Sequence, residues 1–226
     1  MEEIQNHGEI SLAHFGVLFL DELSEFKKST LEVLRGPLEN KYVTISRANM
    51  AVTYPSNFIL IASMNPCPCG YYGTDDDKCH CSETAISNYM GKLSGPLLDR
   101  IDLHIEVKSV EYEKISSEEK GETSKEIKKR VDKARKIQLE RYKNLNIYSN
   151  GELTPKLIEK YCKIDETSKE LLRKAFEKLG LSGRAYSRIL KVARTIADLD
   201  GEDEIRKSHI AEAIQYRSLD RKYWKR

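Results

Sequence analysis

Apolar residues change their spacing several times along the chain, and each change marks an element. Gly16-Val17-Leu18-Phe19-Leu20 is an unbroken apolar run that stops at Asp21-Glu22. Such a run predicts a central parallel strand buried on both faces, its carboxyl end opening onto a site. Phe58 to Ala62 repeats the pattern and ends at Ser63-Met64-Asn65. Between the two, Leu31, Leu34 and Leu38 recur at helical intervals across Lys28 to Glu39. Tyr42-Val43-Thr44-Ile45 and Ala51-Val52-Thr53-Tyr54 then predict a β-hairpin. Buried strands separated by a helix, both closing on polar residues, predict an α/β class with a parallel sheet and a site at the strand ends.

Pro66 to Ser82 is rich in Cys, Gly, Pro and Asp and reads as a loop, with a short helix over Glu83 to Leu93 behind it. Leu103-His104-Ile105-Glu106-Val107 alternates and predicts a last strand. Strand signals cease at about Glu111, and Ser116 to Thr123 is polar enough for a linker. Helices are then expected over Ser124 to Lys143, Pro155 to Tyr161, Glu166 to Leu179, Gly183 to Leu199 and Lys207 to Gln215, with Thr154-Pro155, Gly180 and Gly201 as start and stop signals. The expected organisation is an α/β part over 1–110 followed by an all-α part over 111–226.

Composition narrows the class. Hydrophobic residues make up 39% and charged residues 33% of the 226, with no apolar run near the roughly 18 needed to cross a bilayer. Met1 to Glu9 has no apolar core, so no secretory signal is read there, and a cytoplasmic location is expected. A net charge of +2 does not by itself point to nucleic acid, although Arg217 to Arg226 carries five Lys or Arg against one Asp. Lys125, Lys128, Lys129, Lys133 and Lys136 share a helical stretch interleaved with acids, a pattern usually found on solvated surface.

Two groups of residues carry chemistry. An apolar strand ending in Asp-Glu is the sequence form of a Walker B element, in which Asp21 would orient Mg²⁺ and Glu22 would polarise the attacking water. On this motif alone, a strand that ends in solvated carboxylates is an equal alternative. Cys67-x-Cys69 and Cys79-x-Cys81 offer four thiolates to a tetrahedral Zn²⁺, against the alternative of unliganded thiols packing a loop. Cys-x-Cys is tighter than the common Cys-x₂-Cys knuckle, and a four-sulfur site leaves no open position, so such a metal would hold the loop rather than catalyse. Cys162 stands apart and reads as a buried small hydrophobe.

The flanks of these motifs resemble the magnesium-chelatase-like AAA+ family, in particular its ComM/YifB branch. The matching stretches are Gly8 to His14, Gly16 to Leu23, Leu34-Arg35-Gly36-Pro37-Leu38-Glu39, Thr44-Ile45-Ser46-Arg47-Ala48, Met64-Asn65-Pro66-Cys67-Pro68-Cys69-Gly70, Leu93 to Asp102, Ser182-Gly183-Arg184-Ala185-Tyr186 and Ala193 to Leu199. The resemblance implies an AAA+ (P-loop NTPase) core followed by a helical lid, with ATP and Mg²⁺ as ligands. It makes Asn65 a sensor-1 residue near the γ-phosphate, and Arg100 an arginine finger directed outward to an adjoining protomer. Arg184 becomes the sensor-2 arginine of the lid, with Arg188 one turn later as its fallback.

The resemblance further implies a ring homo-oligomer, a hexamer, that couples hydrolysis to DNA translocation or branch migration. A second reading from the same family is a regulatory ATPase that remodels a protein partner during metal insertion. A third is an inactive binding module stabilised by zinc. Arg47 and Lys41 flank the hairpin, where a DNA contact and plain solvation are both open. No Gly-x-x-x-x-Gly-Lys-Ser/Thr occurs, and Gly91-Lys92 is followed by Leu93. The chain therefore reads as the C-terminal part of a longer ATPase, and alone it is expected neither to bind ATP tightly nor to turn it over.

Overall fold

A computed structural model describes residues 8–47, 50–73, 78–107 and 121–217. The chain divides into two compact units, Met1–Ile101 and Asp102–Arg226. The boundary expected near Glu111, most of the linker, and the basic tail beyond Arg217 lie outside the described residues.

In the first unit, α1 (Glu9–Leu12) leads into β1 (Val17–Leu20), which pairs in parallel with β4 (Ile59–Ala62). Val17 stands opposite Ile59 and Leu20 opposite Ala62. Between them come α2 (Lys28–Val33), α3 (Arg35–Asn40) and the antiparallel hairpin of β2 (Tyr42–Arg47) with β3 (Met50–Pro55). The helix expected over 28–39 is thus two short helices that meet at Leu34. Pro37 has no N–H for a bond to the carbonyl of Val33, and its ring crowds that turn. The chain then runs through the cysteine-rich loop to α4 (Glu83–Met90), capped by the Ser82 hydroxyl, and to α5 (Gly95–Leu98), capped by that of Ser94.

Two expectations are corrected here. β1 and β4 are not buried on both faces: Val17, Phe19, Ile59 and Ile61 are 53, 59, 64 and 49% exposed, while Leu18, Leu20 and Leu60 are half-buried. Successive side chains point to opposite faces of a sheet, so this two-stranded sheet has one packed face and one open apolar face. Leu103 to Val107 forms no strand among the described residues. The His104 N–H donates to the carbonyl oxygen of Tyr216 at 2.9 Å, and Leu103, Ile105 and Val107 are exposed. Alternation marks residues able to pair, and no strand among the described residues pairs with this segment.

The second unit is helical: α6 (Ser124–Arg141), α7 (Pro155–Tyr161), α8 (Glu166–Leu179), α9 (Gly183–Asp200) and α10 (Lys207–Gln215). Their starts follow from local chemistry. Thr123 and Glu126 form a capping box on α6, Asp165 accepts from the Ser168 N–H on α8, and Ser182 accepts from that of Ala185 on α9. Gly180 and Gly201 close α8 and α9 with φ of 58° and 76°, a left-handed turn that glycine adopts without a Cβ clash. Leu172, Ile189, Leu190, Ala193, Ile196, Ala197 and Ile210 form the core of this unit. The expected helices are present, with ends shifted by at most two residues. No helix among the described residues is long and apolar enough to cross a membrane.

Inside that core lies a charged network. Asp198, with no exposed surface, accepts from Arg141 Nη1 at 2.9 Å, Arg194 Nε at 3.1 Å and Asn150 Nδ2 at 2.8 Å. Arg194 also donates to the carbonyl oxygens of Glu202 and Asp203, both at 2.6 Å. The pairing is what makes a buried carboxylate tolerable, since an isolated one costs several kcal/mol to desolvate.

Candidate functional site

The parallel pairing of β1 with β4 places two polar strand ends side by side. Extending the register by one residue sets Asp21 opposite Ser63, and the Ser63 hydroxyl donates to Asp21 Oδ1 in a short hydrogen bond. The Glu22 N–H also reaches Asp21 Oδ1, at 3.1 Å, and the Leu23 N–H bonds the Ser63 carbonyl at 2.8 Å. Glu22 itself sits in the left-handed region at φ 49°, a conformation that costs a non-glycine residue about 1–2 kcal/mol. That turn directs the chain away from the strand immediately after Asp21. Both carboxylates are exposed.

One oxygen of Asp21 is thus anchored, while Oδ2 has no hydrogen bond among the described residues. An oriented carboxylate with an open oxygen is a donor that fits a hard cation such as Mg²⁺. Ser63 was not assigned a role from sequence. Its place one residue past the last pair, Leu20 with Ala62, is the signal that could have found it.

Asn65 lies two residues further on and is exposed. Its side chain borders Gly70, where an added Cβ would stand 4.0 Å from the Asn65 amide carbon and Oδ1. Gly70 has φ 84°, so this tight turn favours glycine. Asn65 therefore stands between the strand ends and the cysteine loop.

Cys67, Cys69, Cys79 and Cys81 come together, their sulfurs all within 4.8 Å of one another. Cys67 lies 3.3 Å from Cys69 and 3.8 Å from Cys79, and Cys69 lies 3.7 Å from Cys79. A tetrahedron of Zn–S bonds near 2.3 Å has edges of about 3.8 Å, so the donor set fits. All four are free thiols. The Tyr71 backbone N–H, with Cys67, lowers the Cys69 thiol to about 6. Cys81, hydrogen-bonded to Cys69, is pushed up to about 12. Crowded sulfurs resist sharing several negative charges, and a divalent cation at their centre would remove that conflict.

Arg100 is turned inward rather than outward. It is 9% exposed, with Nη1 donating to the Pro96 carbonyl at 2.6 Å and Nη2 paired closely with Glu39. The expected outward orientation is therefore not that of this chain, because Glu39 and the Pro96 carbonyl hold both terminal nitrogens of the guanidinium inside its own unit. In the helical unit, Arg184 is exposed in the first turn of α9, just past the Ser182 cap. Arg188, one turn later, forms a close ion pair with Asp102.

Residues 2–115 match the family model described as magnesium chelatase, subunit ChlI, and residues 121–217 match that of the ChlI C-terminal part. The chain belongs to the magnesium-chelatase family. It is 48% identical to competence protein ComM of Haemophilus influenzae over 96% of this chain and 42% of that protein. It is 43% identical to YifB of Escherichia coli over 96% of this chain and 42% of that one. The chloroplastic magnesium-chelatase subunit ChlI of Glycine max is 24% identical over 92% of this chain and 43% of that protein. The chain thus spans about two fifths of the length of these relatives.

Proposed function

We propose that this chain supplies the hydrolysis-side residues of an AAA+ ATPase that works as a ring homo-oligomer, a hexamer, and remodels DNA. The observation that carries the ATP part is the pair of neighbouring parallel strands whose carboxyl ends present Asp21, held by Ser63 and the Glu22 N–H, beside exposed Glu22. Asp21 would hold Mg²⁺, whose charge neutralises phosphate oxygens during phosphoryl transfer. Glu22 would accept the proton of the attacking water, and Asn65 would orient that water through its amide. Arg184 and Arg188 would read the phosphates from the helical lid as guanidinium forks. Arg100 would serve as a finger for a neighbouring protomer once freed from Glu39. The cysteine cluster would hold a structural Zn²⁺ that fixes the loop following Asn65.

The DNA part is supported by the relatives alone, since one of them is named a competence protein. A direct test replaces the matching two fifths of Haemophilus influenzae ComM with this chain and measures ATP hydrolysis with and without branched DNA. The proposal expects hydrolysis that branched DNA stimulates. Hydrolysis indifferent to DNA would refute the DNA part, and none at all, from a chimera that binds ATP, would refute the assignment of hydrolytic residues.

A further inference from the structure

Helix α6 carries eight Lys or Arg against three acids in 18 residues, and the fold sorts these charges in a way the sequence does not show. Ala134 and Gln138 are buried, and Arg141 reaches inward to Asp198, so that side of α6 is packed. At 100° per residue, Lys125, Lys129 and Lys136 fall within an arc of about 40° on the opposite side, and Lys133 lies about 40° beyond it. All four are exposed. The acids near this arc are already engaged, Asp132 with Lys128 at 3.1 Å and Glu140 with Lys143. Lys125, Lys129 and Lys136 have no ion pair among the described residues. A rise of 1.5 Å per residue strings them over about 16 Å.

We propose that this lysine row is a contact surface for the sugar-phosphate backbone of duplex DNA. The row is straight and cationic, a shape that complements a duplex with one charge per about 1.7 Å of axis. Lysine offers point charges rather than the bidentate fork of arginine, so the contact positions phosphate without reading sequence. A membrane surface fits less well. An interfacial helix inserts the apolar face opposite its lysines, and on α6 that side holds buried Ala134 and Gln138, packed within its own unit. This inference deepens the DNA part of the function proposed above, but it requires neither ATP nor the strand-end carboxylates. Its failure and theirs are therefore distinguishable.

The test uses the 226-residue chain, a fluorescein-labelled duplex of about 30 base pairs, and anisotropy titrations from 25 to 200 mM KCl. Each phosphate contact contributes about 0.9 to the slope of log K against log salt, so K125Q/K129Q/K136Q should flatten the slope by about 2.7. It should also weaken binding at least tenfold at the lowest salt. A variant of equal charge change on other exposed positions, K156Q/K163Q/K178Q, should keep the wild-type slope, and circular dichroism of both should match the parent. An unchanged slope in the first variant, or an equal loss in the second, overturns the proposal. So does wild-type protein that binds phosphatidylserine vesicles but not duplex DNA.

Discussion

Replacing Asp198 with Asn tests how the helical unit holds the helix that bears Arg184 and Arg188. The change keeps the volume of the side chain and removes its charge. Arg194, with a side chain 3% exposed, and Arg141, at 16%, would then face an amide whose NH₂ cannot accept from them. Asparagine keeps one acceptor oxygen, so either Asn150 Nδ2, now 2.8 Å from Asp198 Oδ2, or Arg194 Nε, 3.1 Å from Oδ1, would lose its acceptor. Breaking a buried pair by removing one partner costs about 3–5 kcal/mol, because the remaining charge stays desolvated. Total stabilities of domains lie near 5–15 kcal/mol, so about a fifth or more of the margin would go. At about 2.1 cal/mol/K per residue, a unit spanning 102–226 shifts by about 4 °C for each kcal/mol, which predicts a fall of about 12 °C or more. Circular dichroism at 222 nm, followed against temperature and urea, reads the effect. A D198N variant within about 1 kcal/mol of wild type would refute the claim that this network locks α6, the Asn150 turn and α9 together.

Other outcomes can be checked in parallel. Protein purified without chelator should contain about one equivalent of zinc by metal analysis, and less than a tenth of an equivalent would count against the cysteine site. Burial pushes the Cys162 thiol up to about 11 from 9.0, so folding favours its neutral form. The stability it contributes is complete below about pH 9 and is lost as pH rises through 11. Native protein at pH 8 should leave Cys162 unalkylated by iodoacetamide, and C162A should flatten the alkaline fall in Tm; rapid labelling in the native state would contradict this. A nucleotide titration of the 226-residue chain alone should show no micromolar ATP affinity, since no phosphate-cradling P-loop is present in its sequence.

Helices were the most legible part of the chain because their signals are local. The Ser182 cap, the Asp165 cap and the glycines at 180 and 201 each act within one turn, so neighbouring letters determine them. Strand environment was less legible. Val17, Phe19, Ile59 and Ile61 look like residues covered on both sides, but cover comes from elements that no strand sequence specifies, and the structure leaves them open. Leu103 to Val107 failed for the same reason, since a strand needs a partner. At the site, Asp21 and Glu22 were visible as polar residues ending an apolar run. The hold of Ser63 on Asp21 depends on strand register, and the inward pairing of Arg100 with Glu39 spans 61 residues. Neither is written in any single motif.

The role of Glu22 can be separated from nucleotide binding in the chimera with Haemophilus influenzae ComM. Glu22→Gln keeps the shape of the side chain but removes the proton acceptor, so binding of Mg·ATP should stay within about threefold of the parent chimera while turnover falls by 10²-fold or more. Turnover within a few-fold of the parent, at unchanged ATP affinity, would contradict the assignment of this strand end as a hydrolytic centre.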